Sequence, residues 1–324
     1  MPEPLNSTFP YYFTLSAYID VGGFRYLLFL IILCLFLCII GANSLLVYVI
    51  SVNRSLHEPM YIFLCSLFIN EVYGSSALFP LLLVQILSHV HQVAVPLCFL
   101  QNFCLFAYGG SELLILAVMS YDRYLAICCP LDYQARMTPN RISFLIALTW
   151  VCPLFFCVVM TSLSATLHLC NNVIQKVYCD NHSITKSACT DTSLINAWGL
   201  LITSLSVFVP LVIIFYSYVL ILKVCFSGSK QTRQKAVSTC SPHIASLLNF
   251  SFGACFEILQ SRFDMSGVPN VLRIILSLYW LTCQPLFNPL LYGLNINPFC
   301  VFAVTVFFLL PVHAVKPLFS FSLL

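Results

Sequence analysis

Charge is what this chain has least of. Of 324 residues only 8% are Asp, Glu, Lys or Arg, whereas 60% are hydrophobic. A water-soluble chain carries about 25% charged residues, so a soluble globular fold is excluded. A net charge of +3 offers no basic surface of the kind nucleic acid requires, and no nucleic-acid partner is implied. Metal and redox spacing is missing as well. No CxxC pair occurs among the 17 cysteines, and most of them sit in apolar runs, where Cys behaves as a small hydrophobe. A basic leader is lacking: Pro2, Glu3 and Pro4 precede the first apolar run, which is not the pattern of a cleaved signal peptide. No paired Asp, Ser/His or zinc-ligand arrangement stands at membrane depth, so an enzyme is not expected. The paired Gly/Pro-broken segments that mark many transporters are also absent.

What is present is a series of long apolar runs. A helix needs about 20 apolar residues to cross the hydrocarbon core. Runs of that order extend from Tyr26 to Ile50, Pro59 to Ser88, Pro96 to Ile127, Ile142 to Leu163, Ile195 to Leu222, Thr239 to Leu259 and Asn270 to Leu294. The expected fold is an all-α membrane protein, a seven-transmembrane helix bundle. Its domains read as an external N-terminus over 1–25, a seven-helix unit over 26–294, and a short, atypical apolar tail over 295–324. The tail is apolar but short for a span over 299–311, and is expected to lie on the membrane surface.

Basic residues set the orientation. With the N-terminus outside, Arg54, Arg136, Arg141, Lys223, Lys230, Arg233 and Lys235 fall inside, and Arg25, Lys176, Lys186, Arg262 and Arg273 fall outside. The excess is inside, so the C-terminus is expected to be cytoplasmic. Sequons at Asn6 and Asn181 then lie on the outer face, as glycan acceptors must. Cys98, Cys170, Cys179 and Cys189 lie on that oxidising face too, where four cysteines allow three pairings. His89 and His91 alternate in the first outer loop, but two ligands do not make a metal site.

The densest stretch is MSYDRYLAICCPLDY, Met119 to Tyr133. Asp122 and Arg123 stand side by side at the inner end of an apolar run, where charge is costly unless it pairs or reaches water. With it come LHEPMYIFLCSL (56–67), Ser217-Tyr218, KAVSTCSPHI (235–244) and PLFNPLLYGLN (285–295). Together, in this order, these segments resemble the motif set of olfactory receptors, a branch of the rhodopsin-like class A G-protein-coupled receptors. The resemblance covers nearly the whole chain to Asn295.

That resemblance implies roles. Asp122, Arg123 and Tyr124 would form the switch at the inner end of the third helix. Tyr218 and Tyr292 would move toward it on activation, and Asn288 with Pro289 would form the seventh-helix hinge, where proline removes a backbone bond. Residues 235–243 would be the inner part of the sixth helix, which swings out to admit a G protein. Cys98 would pair with Cys179, and Cys170 with Cys189. The ligand pocket would be lined by Leu105, Phe106, Gly109, Gly110, Ile202, Thr203, Ser206, Ser251, Ala254, Cys255 and Ile258. Leu105 stands where amine receptors carry Asp, and Thr282 where opsins carry the retinal lysine, so neither an amine nor a cofactor is implied.

Glu71 and Glu112 are intramembrane acids. Two carboxylates facing each other in low dielectric cannot both ionise cheaply. They share a proton, hold a cation such as sodium with Asn43 and Asn288, or form a hydrogen-bonded structural pair. The function implied is an odorant receptor of the plasma membrane. It would bind a small molecule within the bundle and activate a heterotrimeric G protein, of the stimulatory, cAMP-raising type by family. A non-olfactory receptor of the same fold and an ion- or proton-coupled transporter are the alternatives. Ser251 departs from the family's sixth-helix Tyr, and the tail lacks the family's basic residues.

Overall fold

The computed structural model describes residues 10–227, 230–263 and 267–296. Each apolar run forms a helix: α1 (Phe24–Val52), α2 (Pro59–Leu87), α3 (Val95–Cys128), α5 (Pro139–Ala165), α7 (Ser193–Ser227), α8 (Lys230–Arg262) and α9 (Asn270–Ile296). Two short helices lie between them, α4 (Tyr133–Arg136) and α6 (Asn181–Lys186), and Arg54–Leu56 makes one 3-10 turn. Pro59, Pro96 and Pro139 stand in the first turn of α2, α3 and α5. A proline there costs nothing, because the first N–H groups have no intrahelical partner. Asn6 and the tail from residue 297 lie outside the described residues, so the N-terminal sequon and the surface-lying segment have no structural account.

Six of the long helices are apolar enough to cross a bilayer. The seventh, α8, is more polar. Its extension back to Lys230, well before the Thr239 that hydropathy predicts, is built from good helix formers that need no membrane. Its polar residues within the bundle turn inward, with His243 and Ser246 fully buried, while Leu248 and Phe252 are exposed. The same division holds elsewhere. Phe208, Val212 and Phe215 of α7 are all exposed at spacings that put them on one face. An outer surface of this kind suits hydrocarbon rather than water.

The third long helix is the centre of the bundle, packed against α2, α5, α7 and α8, while α9 closes the ring against α8, α2 and α1. Glycine permits two of the closest approaches. A Cβ at Gly74 would overlap the Tyr108 ring between α2 and α3, and one at Gly253 would overlap the Trp280 backbone between α8 and α9.

At one end of the bundle the chain before α1 is not a loose terminus. Tyr12–Leu15 forms strand β1 in a small sheet with β2 (Gln92–Ala94) and β3 (Val173–Ile174), in the order β2-β1-β3. Phe13 pairs antiparallel with Val93, and Leu15 parallel with Ile174. All four of these side chains are buried and pack with Cys98 and Cys179. Tyr18 continues the anchorage, donating to the Val177 carbonyl at 2.9 Å and stacking on His91.

Candidate functional site

Three layers follow one another down the bundle. The first is a cavity under the loop between α5 and α7. Disulfides join Cys98 to Cys179 and Cys170 to Cys189. The first bridge ties that loop to the start of α3; the second, with the Leu169–Ala188 bridge, closes the loop on itself. Gln101 fixes the loop further, its Oε1 accepting from the Cys179 N–H at 2.9 Å. Beneath lies a cavity of about 190 Å³ between α3, α5, α7, α8, α9 and the loop.

Of the side chains expected to line a pocket, Leu105, Phe106, Thr203 and Ile258 do so. The others do not. Gly109 faces the Trp280 ring and Gly110 faces Pro153 of α5. Ile202 is buried against Met160, Leu167 and Ile195. Cys255 is exposed, because it lies two residues, about 200°, from the cavity-lining Glu257 on a helix of 3.6 residues per turn. Ser206, Ser251 and Ala254 are half-buried and off the lining. Trp280 closes the floor of the cavity, its ring against Tyr108 and Phe250.

The loop and α8 add polar residues that the sequence did not single out for the pocket. Lys176 pairs with Glu257 of α8 and with Asp180 at 3.2 Å. Burial pushes the Lys176 ammonium toward a lower pKa, but the two carboxylates more than offset it and hold it above the usual range. Asn181 opens α6 with its Oδ1 accepting from Ser164 at 2.9 Å, and lines the cavity.

The second layer is a buried polar network. Tyr108 donates to Glu71 Oε2 at 2.9 Å. Asn288 Nδ2 donates to Glu71 Oε1 and, at 3.1 Å, to Glu112 Oε1. Asn70 donates to Glu112 Oε2 at 3.0 Å and Gln284 to Glu112 Oε1 at 3.1 Å. Ser246 of α8 donates to Asn288 Oδ1 at 2.7 Å and accepts from Gln284 at 2.9 Å. The network thus joins α2, α3, α8 and α9. Asn43 is not in it. Its Nδ2 donates to the Ile39 and Pro285 carbonyls at 2.8 and 2.9 Å. The Pro285 carbonyl has no helical donor, since Pro289 lacks the N–H that would reach it. Asn43 Nδ2 thus meets this α9 carbonyl, and Asn43 Oδ1 is buried without a hydrogen-bond partner.

The third layer is at the opposite end from the disulfides. Arg123 donates to Asp122 Oδ2 through Nε at 3.1 Å and Nη2 at 2.7 Å. The second carboxylate oxygen of Asp122 accepts from Tyr133 at 2.7 Å. Burial, and then the bond to Asp122, raise the Tyr133 phenol above its usual pKa, so it stays a donor. Tyr218 shares a hydrogen bond with His243 Nδ1. Tyr292 is buried and packs in the same core as Tyr218 and Tyr124. Tyr124 also borders a cluster of Ile221, Cys225 and Cys240, which links α3, α7 and α8.

Residues 32–307 match the olfactory receptor family. The chain belongs to that family. Olfactory receptor 10A3 of Homo sapiens is 31% identical over 285 residues, 87% of this chain and 90% of the relative. Olfactory receptor 6E1 of Mus musculus is 32% identical over 292 residues, covering 90% and 93%. Squid rhodopsin shares the fold, with a TM-score of 0.69 over 89% of this chain and 87% of that one, at 18% identity. This olfactory receptor is accordingly a multi-pass plasma-membrane protein of the seven-helix, G-protein-coupled class and not an enzyme.

Tyr133, His243, Gln284, Tyr108, Asn70 and Ser246 are members of the receptor's polar layers that sequence reading gave no role of their own. Tyr133 and His243 stood within quoted motifs; Gln284 and Tyr108 carried no signal in an apolar context. The strand at Tyr12–Leu15 was not read from the sequence, because a four-residue strand is too short for periodicity to declare.

Proposed function

We propose that the chain faces the cell exterior with its disulfide end and binds a small odorant in the cavity under the disulfide-bonded loop. Binding there releases Arg123 at the cytoplasmic end and activates a stimulatory, cAMP-raising G protein. One observation carries this reading: the cavity and the Glu71–Glu112 network are joined through shared side chains, and the network reaches α8, which also carries His243, the partner of Tyr218 in the Arg123 layer. Trp280 lines the cavity and touches Tyr108; Tyr108 bonds Glu71; Asn288 bonds both acids and Ser246 of α8. A ligand that displaces Trp280 shifts groups that hold α8 against α9 and α3. The Asp122–Arg123 pair, tied to Tyr133, and the Tyr218–His243 bond describe a resting arrangement. In it neither tyrosine of the switch engages Arg123. Activation moves Tyr218 and Tyr292 toward the arginine and bends α9 at Asn288-Pro289.

The two acids act as an ionic lock on the resting state, holding a proton or a sodium ion. The carboxylates offer the hard oxygens an alkali cation takes, in exchange for the amide N–H groups of Asn70, Asn288 and Gln284 that they accept from here; Asn43 Oδ1 is a further buried oxygen without a hydrogen-bond partner. The outer membrane-facing shell, with Phe144, Phe155, Phe208 and Phe215 exposed, is the lipid contact.

The cavity assignment is tested by filling it. Leu105 is buried at its wall, and Leu105→Trp adds an indole where the ligand would sit. In transfected cells, agonists found on a small-odorant panel should lose potency by more than tenfold in Leu105→Trp at matched surface staining. Unchanged potency for every agonist would remove the cavity from the ligand's path.

A further inference from the structure

We infer that the cavity's preferred ligand carries a protonated amine, seated between Glu257 and Asp180. The inference deepens the reading of this cavity as the odorant site and rests on it.

Two carboxylates meet a single cation at the upper wall. Lys176 Nζ is shared by Glu257 Oε1 and Asp180 Oδ2, which leaves one negative charge in surplus. Both acids line the cavity. The second oxygen of each, Glu257 Oε2 and Asp180 Oδ1, is buried without a hydrogen-bond partner. Charged acceptors out of water are costly unless met, and a cation entering the cavity meets the surplus charge. Tyr178, only 2% exposed, also lines the cavity, its hydroxyl beside Glu257 and the Trp280 indole. An ammonium group supplies the positive charge and three donors at once, and two aromatic faces nearby favour a cation further.

The alternatives fit worse. A carboxylate ligand would enter a field already negative, with only the third N–H of Lys176 left to meet it. A neutral alcohol offers one donor to two unmet oxygens and leaves the surplus charge uncompensated. His182 also lines the cavity. Leu105, Phe106, Ile195 and Ile258 make the rest of the wall apolar. About 190 Å³ is roughly six water volumes at ~30 Å³ each, which suits a body of one ring or a short chain. The anchor lies on the loop and α8. That is why Leu105, where amine receptors carry their acid, gave no sign of it in the sequence.

The test uses the full chain in cells with a cAMP readout. Matched amines, alcohols, carboxylic acids and hydrocarbons are compared on cyclohexyl, benzyl and pentyl skeletons. Cyclohexylamine, or the amine of another skeleton, should be at least tenfold more potent than its alcohol, and the acids should be inactive. Glu257→Gln should erase the amine-to-alcohol ratio, and Asp180→Asn should reduce it. The ratio is read within each variant, so a change in receptor number does not imitate it. Should Glu257→Gln fail to reach the surface, the wild-type order and Asp180→Asn decide. The inference is overturned if no amine responds, if alcohols or acids match the amines, or if Glu257→Gln keeps the ratio. In that event, alcohol responses that vanish in Leu105→Trp leave the cavity reading standing; responses untouched by Leu105→Trp remove both.

Discussion

Asp122 has two carboxylate oxygens and two partners, Arg123 on one and Tyr133 on the other. If the proposed switch is released by freeing Arg123, whatever positions Asp122 holds the receptor quiet. A hydrogen bond to a charged group is worth about 1.5–3 kcal/mol, and ~1.4 kcal/mol is tenfold in an equilibrium. Tyr133→Phe should therefore raise ligand-independent cAMP by roughly tenfold or more at equal surface staining. Basal cAMP no higher than wild type would remove Tyr133 from the switch. At the acids, wild-type basal signalling should fall as sodium rises and shift with pH. Glu112→Gln should abolish the sodium dependence, because it removes one of the two negative charges that a cation would neutralise. Equal dependence in both would leave the acids a purely structural pair. Arg123, Glu71 and Glu112 were legible in the sequence because a charge within an apolar run stands out. Lys176 and Glu257, 81 residues apart, were visible as charges but not as partners, because only the folded loop brings them together. Asn43 illustrates the converse. It was expected to offer an oxygen beside the acids; its N–H groups meet the Ile39 carbonyl and the proline-orphaned Pro285 carbonyl, and its oxygen is without a hydrogen-bond partner.

Among elements, the loop between α5 and α7 depends on two bridges of unequal reach. Cys98 and Cys179 are 81 residues apart, Cys170 and Cys189 only 19. The entropy a crosslink removes from the unfolded chain grows with the logarithm of the loop it closes, and Cys98 also joins the core shared with β1, β2 and β3. Removing a native disulfide typically costs about 2–5 kcal/mol. Cys98→Ser should abolish surface expression or agonist response, whereas Cys170→Ser should retain a weakened response, as flow cytometry and dose–response curves would show. Equal losses would mean that the loop, rather than its tie to α3, is what matters. The seven helices were readable from hydropathy because each needs one long apolar run and little else. Their ends were less so. The N-terminal part of α8 forms where hydropathy stops, by helix propensity, and β1 forms from residues whose partners lie at Gln92–Ala94 and Val173–Ile174, far along the chain. Ser251, Ala254 and Cys255, expected at the pocket and standing off the cavity lining, show the same limit. A helix in a bundle has one inward face, and a motif fixes the register of that face only to within a residue or two. At Cys255 this is enough to turn the side chain toward lipid.

For the whole molecule, the account describes one path from a cavity at the disulfide end to an arginine at the other. Its steps are Trp280, Tyr108, the Glu71–Glu112 network, Asn288 and Ser246 of α8, and its output is the release of Arg123 to a G protein. The most direct test is a cAMP dose–response over a panel of small odorants, comparing wild type with Arg123→Ala at matched surface expression. The account predicts at least one ligand that raises cAMP in a concentration-dependent way in wild type and not in Arg123→Ala. An equal rise in both, or ligand-evoked ion current without cAMP, would contradict it.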